Sequence, residues 1–331
     1  MSLADLQFSE WAAFSEAEAR AYCEALEAAL PLPLAFGGLR DHSFVGREFR
    51  LARFDYEGAA FSLLPGGEVR LGFDPGRFDA TPEQAASFSE SATAFGLEPE
   101  LRSYLRGVTT EPRSVTLAPL LLETQAQRSG LQPISPEAPE VQRFLDSENR
   151  RHGEFELYDN EGILRVRHGE DGALAAWRIV PKTHGQIRSD LAESGCRLPS
   201  TDEWEYACGA GARTLFRWGD VCPCDRAPTE STAAAIARNR ALAPADAEPW
   251  TAFVEPNLFG LEIAKDPYVW ELAAEEGVAR GGDGGCNISG GVGHFMAWLP
   301  LASAYSDPEV TAMLQADPSQ SFFRRAIPLN L

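Results

Sequence analysis

The sequence predicts an α+β protein with few helices, many short strands and long irregular connections. Three observations carry this. Capping signatures mark only a few helix starts, and apolar residues alternate with period two over short runs. A long stretch, 209–260, is rich in Gly, Pro, Ala and aromatic residues and has little periodicity.

The elements follow in order. Ser15-Glu16-Ala17-Glu18 sets a hydroxyl at an N-cap and a carboxylate three residues on, the reciprocal arrangement that satisfies two free backbone N–H groups. Tyr22, Leu26 and Leu30 continue at helical spacing, and Pro31 and Pro33 stop the helix. Residues 1–60 are expected to be an N-terminal helical segment that packs on a main domain, 61–331, through Trp11, Phe14, Tyr22 and Leu26. Strands are expected on both sides of Pro65-Gly66-Gly67, over Phe61–Leu64 and Glu68–Leu71. Thr81-Pro82-Glu83-Gln84 starts a helix, with Thr as cap and Pro at the first helical position. Val115–Leu117 reads as a strand and Leu120–Leu122 as a buried run. Residues 129–139, with Pro133, Pro136 and Pro139, read as a loop. A meander of hairpins is expected from Phe155 to Val180, turning at Asp159–Gly162 and Glu170–Gly172. Ser200-Thr201-Asp202-Glu203 opens another capped helix that carries Trp204 and Ala207.

Composition narrows the function. The 331 residues are 44% hydrophobic and 24% charged, as in ordinary globular chains. The net charge is −20, with Lys182 and Lys265 as the only lysines. Such a field repels nucleic-acid phosphates and anionic lipid, so neither nucleic acid nor membrane is an expected partner. No run approaches the roughly 20 apolar residues of a bilayer span. Met1–Asp5 lacks the basic and apolar regions of a secretory leader, and a cytoplasmic location is expected. Of six cysteines only Cys222-Pro223-Cys224 is a close pair. C-x-C is not a standard zinc spacing, so all six read as ordinary reduced thiols. The Gly-rich runs 281–285 and 290–293 lack the strand and helix that frame a phosphate cradle and read as sharp turns.

Arg197-Leu198-Pro199-Ser200-Thr201-Asp202-Glu203-Trp204-Glu205-Tyr206-Ala207 resembles the R-L-P-T-E-A-E-W-E-Y-A hallmark of the sulfatase-modifying-factor (formylglycine-generating enzyme) family. Other segments follow in family order. Pro65-Gly66-Gly67 with Leu71-Gly72 is similar to the opening strand pair, and Glu111–Leu117 to the E-x-P-x-H-x-V-T-L strand. Phe216–Asp220 is similar to Y-P-W-G-D, Pro256–Leu261 to P-N-x-F-G-L, and Val269–Leu272 to N-V-W-E-W. Arg280-Gly281-Gly282 is similar to the R-G-G-S-W turn, and Phe323-Arg324 to the closing G-F-R. The resemblance spans roughly 60–331 and implies a variant of the C-type lectin fold, with short strands and long irregular loops.

The best-known members of that family oxidise a sulfatase cysteine, holding copper between two cysteines five positions apart after the R-G-G turn. Cys286 stands at the first position and Gly291 at the second, so copper is not expected. The family's calcium site near N-V-W-E-W implies Glu271 and Asn257 as candidate calcium ligands, although Tyr268 replaces the motif's Asn. A second branch holds non-haem iron on an H-x-x-x-E-H pair. His42, His152, His168, His184 and His294 form no such pair. The resemblance therefore implies a pseudoenzyme, a divergent binding or protein-interaction module for a protein or peptide ligand. Its expected face is 283–305, with Arg280, His294, Phe295, Met296, Trp298 and Tyr305. The alternative is a metal- and O2-dependent oxidoreductase with an altered site, formed by Cys286 as catalytic thiol with a histidine such as His294, or else by the Cys222/Cys224 pair.

Overall fold

A computed structural model of the chain describes residues 3–148, 153–159, 162–169, 172–231, 233–242, 247–308, 312 and 321–329. It is a mixed α+β structure.

The strands are β1 (Ala35–Phe44), β2 (Arg47–Tyr56), β3 (Ala59–Leu64), β4 (Gly67–Leu71) and β5 (Arg113–Leu117). They continue as β6 (Leu120–Glu123), β7 (Gln127–Arg128), β8 (Leu131–Ile134), β9 (Gly153–Asp159) and β10 (Gly162–His168). The last are β11 (Leu174–Ile179), β12 (Glu271–Leu272), β13 (Ala279–Arg280), β14 (Phe322–Phe323) and β15 (Ala326–Pro328). The helices are α1 (Phe8–Ala13), α2 (Glu16–Ala29), α3 (Pro82–Phe95), α4 (Leu101–Val108) and α5 (Pro139–Glu148). Then come α6 (His184–Glu193), α7 (Thr201–Gly209), α8 (Ala233–Arg240), α9 (Cys286–Ser289) and α10 (His294–Trp298). None is long and apolar enough to cross a membrane.

Local chemistry sets the helix starts. Ser15, Thr81, Thr183 and Ser200 each cap a helix, and the Glu or Gln three residues on returns a hydrogen bond to the cap's backbone N–H. Gly96, at φ 65°, ends α3 in the left-handed conformation that favours glycine.

The largest sheet is antiparallel, in the order β1-β2-β3-β6-β15. β4 and β5 pair separately. A short mixed sheet, β13-β12-β14-β7, lies where distant parts of the chain meet. The fourth sheet, β8-β11-β10-β9, has its own apolar cluster of Val141, Phe144, Leu164, Val166 and Ala176 beside α5. The remaining core is continuous, from Leu6 and Trp11 through the main sheet to Leu329.

Two sequence expectations need correction. Residues 35–56, expected within a helical segment, form the hairpin β1–β2 and two strands of the main sheet. β1 is an edge strand that is mostly exposed and carries Gly37, Gly38, Arg40 and Asp41, so its residues do not alternate as a half-buried strand would. Residues 131–134, expected as loop, are β8. Pro133 is tolerated there because β8 is an edge strand. The expected meander is present as β9, β10 and β11, with Asn160, Glu161, Glu170 and Asp171 of its turns outside the described residues.

Candidate functional site

The segment 197–207 is a structural hub. Arg197 donates from both terminal nitrogens to Glu203, at 2.6 Å each. Burial pushes the Glu203 carboxyl up, but Arg197 and the Ser200 cap outweigh it and hold it below its ordinary value. Trp204 donates its indole N–H to Glu271 at 2.9 Å. Glu205, nearly fully buried, accepts from the Gly72 N–H, from Thr110 Oγ1 at 2.9 Å and from Arg113 at 2.9 Å. The Tyr206 hydroxyl donates to the Pro65 carbonyl at 2.9 Å. Glu203 thus fixes the start of α7 locally, and the polar groups of Trp204, Glu205 and Tyr206 tie the helix to distant segments.

The residues expected to hold calcium are committed in the same way. Both Glu271 oxygens accept from Arg324, at 2.5 and 2.7 Å, and one also accepts from Trp204. The Asn257 amide donates to the Ala207 and Cys208 carbonyls, and its oxygen accepts from the Phe259 and Leu261 N–H groups. A hard cation needs six to eight free oxygens, so this pair does not fit calcium. Among the described residues no group of three or more His, Cys, Asp or Glu side chains is arranged to hold a metal.

The expected 283–305 binding face is mostly core, and this is a correction. Phe295, Met296, Trp298 and Tyr305 are buried. Trp298 packs edge-on against Trp218, Trp250 and Phe253, and its indole N–H donates to the Arg226 carbonyl at 3.0 Å. Aromatic rings next to glycines read as a surface patch because the rings they join are remote in sequence. Arg280, also expected in binding, is buried and donates to the Tyr305 carbonyl at 2.7 Å. Burial pushes its guanidinium below the usual value.

Cys286 stands half-buried at the first position of α9, a single helical turn. Burial, then Asp283 and Asp307, push its thiol above the ordinary value and keep it protonated at neutral pH. Gly291, at φ 69°, occupies the position of the expected second thiol. The residues of this loop do not fit copper.

His294 is the member of the expected face that reaches an open site. It lies 3.8 Å from the Glu230 carboxylate and lines a cleft of about 940 Å³. α3 forms one wall, with Glu83, Ser87 and Glu90. The segment Val221–Arg226, Arg238 and Asn239 of α8, Leu242, Glu248, Trp250 and the turn Gly291–His294 form the other walls. Four carboxylates, Glu83, Glu90, Asp225 and Glu248, face two guanidiniums, Arg226 and Arg238, and Arg226 is already paired with Asp225. Phe95 and Leu242 on its lining are 47% and 49% exposed.

The Cys222-Pro223-Cys224 segment forms part of this lining and is pinned on both sides. Gln84, buried in the first turn of α3, donates to the Asp220 carbonyl at 2.9 Å and lies 3.9 Å from Cys222 Sγ. Trp218 donates to the Val221 carbonyl at 3.0 Å, and Trp298 holds Arg226. Cys222 is buried and Cys224 half-buried, and the Cys224 thiol donates to the Cys222 carbonyl at 3.7 Å. The neighbouring Cys222 thiol holds Cys224 below the ordinary thiol value, against burial and against Glu83, Asp225 and Glu248. Burial, chiefly, pushes Cys222 well above it. The close spacing of these cysteines is visible in sequence. Their convergence with α3 and the 291–294 turn is not.

Compared with known proteins, the chain matches no family model and no curated protein.

Proposed function

We propose that the chain is a divergent member of the sulfatase-modifying-factor family, a variant of the C-type lectin fold that works as a binding module for peptide segments carrying basic and apolar side chains. The family reading is supported by where the motif-like segments meet. Pro65, Gly72, Arg113, Trp204–Tyr206, Asn257, Glu271, Gly281 and Arg324 come from separate stretches that resemble the family in order, and they contact one another around α7. Such a constellation is what a shared scaffold requires, and it carries no chemistry of its own.

The binding reading rests on one observation: the acidic cleft, whose lining includes the exposed Phe95 and Leu242. An excess of carboxylates over free guanidiniums favours a cationic ligand, and exposed apolar side chains supply area that binding would bury. The oxidoreductase alternative depends on Cys286, whose thiol is shifted away from the reactive thiolate.

Fluorescence anisotropy with matched peptides tests this reading. Peptides mixing Arg or Lys with Leu or Phe are expected to bind, and acidic analogues are not. Reversing Glu83 and Glu248 to Lys should weaken binding on the order of tenfold at low salt. Equal binding of acidic and basic peptides, or indifference to the reversal, would sink it.

A further inference from the structure

We propose that Cys224 and Cys222 form a dithiol that exchanges with cationic disulfides entering the cleft. Three observations carry this. The two cysteines flank a single proline, and Cys224 Sγ lies 3.7 Å from the Cys222 carbonyl oxygen. Both line the cleft but are unequal in access, Cys224 half-buried and Cys222 buried. The loop is held by Gln84, Trp218 and Trp298, so the pair keeps its geometry without a ligand. One accessible sulfur and one sheltered partner is the division of labour that exchange needs. The first attacks and the second resolves.

The step balances without an external oxidant. The Cys224 thiolate attacks one sulfur of a substrate disulfide, and that S–S bond breaks. The departing thiolate takes up a proton, leaving a mixed disulfide on Cys224. Cys222 then loses its proton and attacks the Cys224 sulfur. The mixed disulfide breaks, and the second substrate sulfur leaves as a thiol. Two protein thiols are oxidised to one disulfide and one substrate disulfide is reduced to two thiols.

Charge sets the substrate class. Glu83 and Glu248 lie close to Cys224, Glu90 adds to the same wall, and Asp225 is paired with Arg226, which leaves three carboxylates against Arg238 on this lining. A disulfide bearing ammonium groups is drawn into this field, and one bearing carboxylates is repelled. The activity goes beyond the peptide-binding reading and does not depend on it.

The reduced protein would be treated with cystamine, bis(2-hydroxyethyl) disulfide or glutathione disulfide, which are cationic, neutral and anionic. Isotope-coded alkylation and peptide mapping then locate the oxidised thiols. Cys222 and Cys224 are expected to be blocked together, ahead of the other cysteines. Cystamine should react on the order of tenfold faster than glutathione disulfide at low salt, with the gap closing at high salt. Cys222→Ser should trap one cystamine adduct on Cys224. The proposal fails if another cysteine oxidises first, if the three reagents react alike, or if Cys222→Ser traps no adduct. Because mapping on the unmutated protein reads the same pair, a variant that folds poorly does not decide the matter. Peptide binding by the Cys222→Ser/Cys224→Ser double variant is scored separately, which keeps the two readings distinguishable.

Discussion

Arg324 and Glu271 form a bidentate ion pair at 2.5 and 2.7 Å with almost no solvent contact on either side chain. The remaining nitrogen, Nη1, donates to the Glu123 carbonyl at 2.7 Å and Nη2 also donates to the Glu262 carbonyl at 3.1 Å, so all three guanidinium nitrogens are engaged. Removing one partner strands the other as a buried charge. Glu271→Ala is expected to cost about 3–5 kcal/mol, and the paired replacement Glu271→Leu/Arg324→Met much less. Urea unfolding of the three proteins measures both, and equal losses in the single and double variants would contradict the account.

Acid lability should trace in part to Glu203. Its folded value lies below the ordinary 4.5 because Arg197 and Ser200 outweigh burial. A depressed carboxylate contributes stability that is present above about 4.5 and lost as pH falls through the lower folded value. Arg197→Met should therefore flatten the acid limb of a stability–pH curve. An unchanged limb would show that the pair is energetically silent.

Gly72 has φ +85°, and an added Cβ would lie 2.1 Å from the Glu111 carbonyl oxygen. Both the conformation and the backbone wall resist a side chain. Gly72→Ala is expected to destabilise by about 3 kcal/mol or more, read as a drop in the thermal midpoint. Gly46, at φ +73° with open space around it, is the control, and Gly46→Ala should cost less.

Cys224 and Cys286 should alkylate with rates that both rise with pH but with midpoints displaced in opposite directions. The neighbouring Cys222 thiol lowers the first, and burial raises the second, from the ordinary 9.0. Residue-resolved iodoacetamide rates should reach half-maximum below 9 at Cys224 and above 9 at Cys286. A reversed order would remove the electrostatic basis of the exchange proposal.

Trp298 and His294 lie four residues apart and should behave differently. Trp298→Ala opens a cavity among three rings and should cost about 3–5 kcal/mol. His294→Ala should change stability by less than about 0.5 kcal/mol while altering affinity for basic peptides. Calorimetry and anisotropy on the two variants separate core from cleft.

Helix starts were legible because a capping box is local. Ser15, Thr81 and Ser200 each find their partners within three residues, so composition and spacing suffice. The main sheet was legible only in part. Buried runs such as Leu120–Leu122 announce themselves, whereas β1 faces solvent along most of its length and resembles a loop. Long-range commitments were invisible. Nothing near Glu271 indicates that Arg324, 53 residues on, takes up its carboxylate. Trp298 follows a glycine-rich turn and looks exposed until Trp218, Trp250 and Phe253 arrive from other segments. The cleft escaped notice because it is assembled from α3, the 221–226 loop and the 291–294 turn, none of which is a site alone.

The segment Phe322–Pro328 joins two sheets through β14 and β15, and its Arg324 and Arg325 face Glu271 and Glu123. On the ribosome, everything before it is made while both carboxylates still lack their cations. Until it is made, these two acids stay hydrated or protonated, so the core around Glu123 and Glu271 is expected to dehydrate only after the two adjacent arginines arrive.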